Sequence, residues 1–204
     1  KPQQSWTAVS DGARGLAIVS VGQMEFAVRD LPERPIALTL FRGTRRTVLT
    51  DGEPNGQLKG ELRFRYWIVP VAGEVDRVRL CDLGQLLAAG LRDVQLRPKD
   101  VRLFRSAAGG GSGATLPAVD GFLSIEGSAV VTSIRQVGDG LEVRMFNPNP
   151  KAATATLHLG DKAAFTKAQR VDLESNPLKT LRMADGKTLR VPLKAKEIVT
   201  VRLS

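Results

Sequence analysis

The chain has 204 residues, 42% hydrophobic and 25% charged, an ordinary globular composition with material for one large or two small cores. No apolar run approaches the ~20 residues that span a bilayer. The formal charge is +9, from 30 Lys+Arg against 21 Asp+Glu. The basic residues are dispersed along strands without a dense tract or interleaved aromatics, a pattern that argues against a nucleic-acid surface.

Single copies of two residue types exclude more. With one cysteine, Cys81, no intrachain disulfide forms, which is compatible with a reducing, cytoplasmic compartment. With one histidine, His158, a four-ligand Cys/His zinc site cannot be assembled, and a Ser-His-Asp triad has only one possible base. The chain opens at Lys1 with no signal-peptide pattern, and a longer protein is expected upstream.

In chain order, "GLAIVSV" (15–21), Gly22-Gln23 and "MEFAV" (24–28) predict a hairpin. "RPIALTLF" (34–41) is near-continuously apolar, as for a strand covered on both faces. "ELRFRYWIVP" (61–70) alternates Leu62, Phe64, Tyr66 and Ile68 against Arg63, Arg65, Trp67 and Val69, with Pro70 as its stop. Further strands are expected at 75–80 and 101–105. Between them "CDLGQLLAAGLRDV" (81–94) predicts one short helix with Asp82 as N-cap, weakened by Gly84 and Gly90. "SAAGGGSGATLPAVDG" (106–121) is a linker or long loop, since no Lys-Ser/Thr follows the glycines as a phosphate loop requires. Strands resume at 122–126, 129–136, 141–146, 153–159, 169–174, 188–193 and 198–203. "GDG" (138–140), "NPNP" (147–150) and "ADGK" (184–187) are the turns, so 141–146 and 153–159 read as an antiparallel pair. Leu141, Val143 and Met145 are assigned to the core. Many short strands at this spacing predict an all-β chain of sandwich type, with at most one short helix.

The chemistry is sparse. Asp51, Glu53, Asp139, Asp185, Glu61 and Glu142 lie in turns or between apolar strand residues, positions that favour solvated surface. Glu25 and Glu197 are expected to pair with Lys or Arg at strand ends. His158 faces away from Leu157 and Leu159, and Cys81 reads as a plain buried thiol. In "TDGEPNGQLKG" (50–60), Asp51, Glu53, Asn55 and Gln57 could bond sugar hydroxyls, with Tyr66 or Trp67 stacking nearby. On the residues alone, a solvent-exposed hairpin end is the favoured account.

Taken together, five blocks resemble the C-terminal region of glycoside hydrolase family 38, the α-mannosidases. "GLAIVSVGQMEFAV" keeps the outline of the family's glycine-led strand pair through Gly15, Leu16, Ala17, Gly22 and Glu25. "IALTLFR" (36–42) is similar to Ala-Leu-Thr-Leu-Leu-Arg. "GQLKGELRFRYWIVP" (56–70) resembles a Gly-x-Gln … Phe-x-Tyr strand through Gln57, Phe64 and Tyr66. "VVTSIRQVGDGLEVRMFNPNP" (130–150) is similar to a block ending Arg-Leu-Tyr-Asn-Pro, with Phe146 replacing Tyr. "VDLESNPLKTL" and "KAKEIVTVRL" resemble the closing strands, with Ala195-Lys196 where Pro-Phe is usual.

The resemblance implies the end of a large galactose-mutarotase-like super-sandwich (1–118) followed by a smaller terminal sandwich (119–204). It implies a parent that is a retaining α-mannosidase, with its carboxylate nucleophile and zinc in an N-terminal catalytic domain. No catalytic or metal residue and no cofactor is expected in this chain. The chain would pack on the catalytic domain of the same polypeptide, and Asp51, Glu53, Asn55 and Gln57 are the candidates for the rim of the sugar cleft. Mannose-containing glycans are the expected ligands of the parent, with neither nucleic acid nor membrane as partner. The alternatives are an autonomous carbohydrate-binding module and, more weakly, a basic polyanion binder. An incomplete first sandwich would expose an apolar edge or face near the N-terminus, a possible dimer contact.

Overall fold

The computed structural model describes residues 1–43, 46–47, 50–51, 59–91, 121–160 and 165–204. The chain divides into two compact units, Lys1–Gly90 and Leu91–Ser204. The boundary expected at 118/119, the strand at 101–105 and the linker at 106–120 lie outside the described residues.

The first unit contains β1 (Trp6–Ser10), β2 (Arg14–Val21), β3 (Phe26–Val28), β4 (Ile36–Leu38), β5 (Arg46–Thr47), β6 (Thr50–Asp51), β7 (Arg65–Ala72) and α1 (Arg77–Ala89). Strands β1, β2 and β7 form an antiparallel sheet with β2 in the centre, in the register Trp6–Val19–Trp67. Ala17, Val19 and Leu80 are buried, and Trp6, Ala8, Val69, Val71, Leu83 and Leu87 pack on them. Strands β3 and β4 pair separately, as do β5 and β6.

Four expectations for this unit are corrected. The segment 24–28 does not fold back on 15–21, because β1 and β7 occupy both edges of β2, leaving β3 to pair with β4. The run 34–41 is a strand only at Ile36–Leu38, and Leu40 and Phe41 are exposed, so it is not covered on both faces. The 61–70 strand starts at Arg65 and runs through Pro70 to Ala72. A proline is tolerated there because β7 lies at the sheet edge. Its inward residues are Val69 and Val71, while Tyr66 and Ile68 point outward.

The fourth correction is the helix. It begins at Arg77, within the expected strand 75–80, and Asp76 rather than Asp82 caps it by accepting from the Arg79 N–H at 3.0 Å. Leu80, Leu83 and Leu87 recur at helical spacing and reach the sheet, so tertiary packing overrides the local strand signal. Gly84 is a packing residue: a Cβ there would stand 2.8 Å from the Ser5 side chain. Gly90, at φ +67°, ends the helix and donates to Leu86 O.

The terminal unit contains β8 (Leu123–Gly127), β9 (Val130–Val137), β10 (Gly140–Phe146), β11 (Ala153–Leu159), β12 (Ala168–Val171), β13 (Pro177–Leu181), β14 (Met183–Ala184), β15 (Thr188–Leu193) and β16 (Ile198–Leu203). One sheet has the order β13-β12-β16-β10-β9 and the other β14-β15-β11-β8, both antiparallel. Between them lies a core of Val143, Met145, Ala155, Leu157, Leu189, Val191, Val199, Val201 and Leu203. Leu141, Val143 and Met145 face it as expected, and Val143 and Met145 have no solvent exposure. The strand expected at 169–174 stops at Val171, because Asp172 folds 172–176 into a turn by accepting from the Glu174 and Asn176 backbones.

The pair 141–146 and 153–159 is not a hairpin. Strand β10 pairs with β9 and β16, whereas β11 pairs with β15 and β8. The Asn-Pro-Asn-Pro segment therefore carries the chain from one sheet to the other. Asn147 at its start is wholly buried. Its Nδ2 donates to Lys151 O at 2.7 Å and Lys194 O at 3.0 Å, and its Oδ1 accepts from the Asn149 N–H at 2.9 Å. Its backbone N–H donates to Glu197 O at 3.0 Å. One side chain thus joins the β10–β11 crossing to the β15–β16 turn.

Asn147→Asp replaces two donors by lone pairs facing two carbonyl oxygens, and Asn147→Ala leaves those carbonyls unpaired. The expected losses are about 3 and about 2 kcal/mol respectively. Both tryptophans, Trp6 and Trp67, belong to the first unit. The terminal unit's loss should therefore lower the far-UV circular dichroism melt while the tryptophan emission transition stays in place.

Candidate functional site

The polar loop at 50–57 is the sequence's candidate for sugar contact. Asp51 is in β6, with its backbone opposite Arg46, while Glu53, Asn55 and Gln57 lie outside the described residues. The base of the excursion is well defined. Phe41 and Phe64 stack with ring centroids 6.0 Å apart and planes 11° off parallel. Beside Phe41, Arg42 donates Nε and NH2 to the two oxygens of Glu25, at 2.7 and 2.5 Å. The Glu25 backbone accepts from the Thr39 N–H and bridges to Pro2. Glu25 thus has the basic partner expected of it. Tyr66 and Trp67 follow on β7, Tyr66 facing outward.

The strongest electrostatic feature is one the sequence reading placed in solvent. Glu142 is 1% exposed. Cross-strand register sets it between Arg202 of β16 and Arg135 of β9. Arg202 donates Nε and NH2 to Oε1 at 3.0 and 2.6 Å, and Arg135 donates the same pair to Oε2 at 3.0 and 2.7 Å. Ser175 adds its hydroxyl to Oε2 at 3.1 Å, from a residue at φ +73°. Burial opposes ionisation, but the bonds from both guanidiniums and the hydroxyl outweigh it, so the carboxyl titrates below the usual glutamate range. Such a carboxylate is a poor proton donor and has no free lone pair for a nucleophilic role. Its chemistry is structural. The correction has a simple cause: alternation assigned Glu142 to an outer face, but the neighbours on that face depend on strand order.

Glu197 also finds a basic partner, Arg170 NH2 at 2.6 Å, and accepts from the Lys194 backbone at 2.6 Å; that backbone bond and the Arg170 guanidinium lower its pKa. His158 sits across from Ser124, its Nε2 3.4 Å from the Glu126 carboxylate. That carboxylate is 76% exposed, whereas His158 Nε2 itself is buried and has no hydrogen-bond partner among the described residues. Cys81 lies inside α1 and accepts from Trp6 Nε1 at 3.2 Å; it is half-buried where a plain buried thiol is expected. Among the described residues no group of three or more His, Cys, Asp and Glu is placed to hold a metal ion, and no helix is long and apolar enough to cross a membrane.

The terminal sandwich decides the relationship. Residues 129–201 match the family "Glycosyl hydrolases family 38 C-terminal beta sandwich domain". The segment is similar to that domain. The match runs from the start of β9 into β16 and includes Glu142, Asn147 and the sheet crossing.

The likeness in fold extends further. An α-mannosidase from Enterococcus faecalis V583 superposes on the whole of this chain with a TM-score of 0.76 at 21% identity. A glycosyl hydrolase family 38 protein from Enterococcus faecalis does so with a TM-score of 0.73, again at 21% identity. The chain spans 21% and 22% of their lengths, about a fifth of each. No curated protein matches the chain.

The depressed pKa of Glu142 gives a signed pH effect. Because its folded pKa lies below its unfolded one, its contribution is complete above the unfolded pKa. It is lost as pH falls through the folded pKa. Glu142→Gln should cost about 2 kcal/mol at pH 7, discounted because Arg135 and Arg202 keep partial hydration. Denaturant titrations of both proteins should show this gap narrowing as pH is lowered below the glutamate range.

Proposed function

We propose that the chain is the non-catalytic C-terminal β-sandwich region of an α-mannosidase-like glycoside hydrolase. The observation that carries this reading is the match of 129–201 to the family 38 C-terminal β-sandwich domain, inside a chain whose whole length follows the fold of about a fifth of the enterococcal α-mannosidase. The parent is a retaining glycosidase acting on mannose-containing glycans. Its catalytic domain lies on the same polypeptide as this chain, which packs against it. The resemblance puts zinc and the nucleophile there, and the residues described here fit that division. The carboxylates with the most partners, Glu142 and Glu197, are bound to arginines. The first unit supplies the polar excursion at 50–57, held by the Phe41–Phe64 stack and the Glu25–Arg42 pair, and Asp51, Glu53, Asn55 and Gln57 form part of the cleft rim.

The 204-residue chain is expected to release no mannose from aryl α-mannosides, with or without added zinc. In the intact enzyme, Asn55→Ala with Gln57→Ala should raise KM about threefold to tenfold and leave thermal stability unchanged, the loss of one or two exposed hydrogen bonds to a sugar. Unaltered steady-state kinetics would remove the rim role. The carbohydrate-binding alternative predicts saturable heat on titrating the isolated chain with mannose oligosaccharides, whereas the packing role predicts none at millimolar sugar.

A further inference from the structure

We draw no further inference here: the strongest candidate, the side-chain cluster of Ser124, Glu126 and His158 on the outer face of β8 and β11, carries nothing because Glu126 stands largely in solvent and nothing in the structure shows a ligand for the His158 imidazole.

Discussion

The terminal sandwich depends on one buried amide. A chain that crosses between two packed sheets must bring backbone out of a ladder and into the interior, where each unpaired carbonyl or N–H costs free energy. At this crossing Pro148 and Pro150 remove two donors from the chain, and Asn147 replaces ladder pairing with its own side chain. Its carboxamide supplies two donors and an acceptor in a fixed plane, and all three are used. Lys196, at φ +57°, adds its ammonium to Pro148 O from the neighbouring turn. The two turns are therefore one structure, and the alignment of β10 with β16 follows from them.

The same logic explains why Glu142 is buried without being reactive. In the five-stranded sheet Arg202, Glu142 and Arg135 occupy one row on adjacent strands, and strands lie about 4.8 Å apart. The two guanidiniums thus flank one strand, with backbones about 10 Å apart, and would repel each other across it. A carboxylate between them converts the repulsion into four charge-assisted hydrogen bonds. Ser175 then ties the 172–176 turn to the row, so the network joins β9, β10, β16 and the turn before β13. A buried carboxylate invites a catalytic reading, and its partners decide against one: a general acid needs its proton held near neutral pH, and this environment does the opposite.

Alternation made the core face of the terminal unit legible, since Leu141, Val143 and Met145 on one strand and Ala155, Leu157 and Leu159 on another are all recognisable by period 2. Strand partners were not legible in the same way. An Asn-Pro-Asn-Pro segment reads as a turn whether it returns the chain to the same sheet or carries it to another, because both need a break in the ladder. Glu142 shows the consequence: its partners lie 7 and 60 residues away, and only the order β16-β10-β9 brings them together. In the first unit, the strand signal at 75–80 lost to a capped helix, because Asp76 satisfies the first-turn donors and Leu80 gains burial only as part of α1. For the segment 50–57, sequence chemistry could nominate Asn55 and Gln57, whereas the Phe41–Phe64 stack required the fold.

In the terminal unit the buried polar groups Glu142, Asn147 and Thr200 are partnered by neighbours within the unit, while His158 Nε2 is buried without a hydrogen-bond partner among the described residues. In the first unit, Gln3 Oε1 and Gln23 Oε1 are likewise buried without a donor among the described residues. The outward positions of β1, β2 and β7 mix buried Thr7 and Ser20 with exposed Leu16, Tyr66 and Ile68. Alternation along β2 and β7 therefore marks the side that packs on α1, through Ala17, Val19, Val69 and Val71, without making the other side polar.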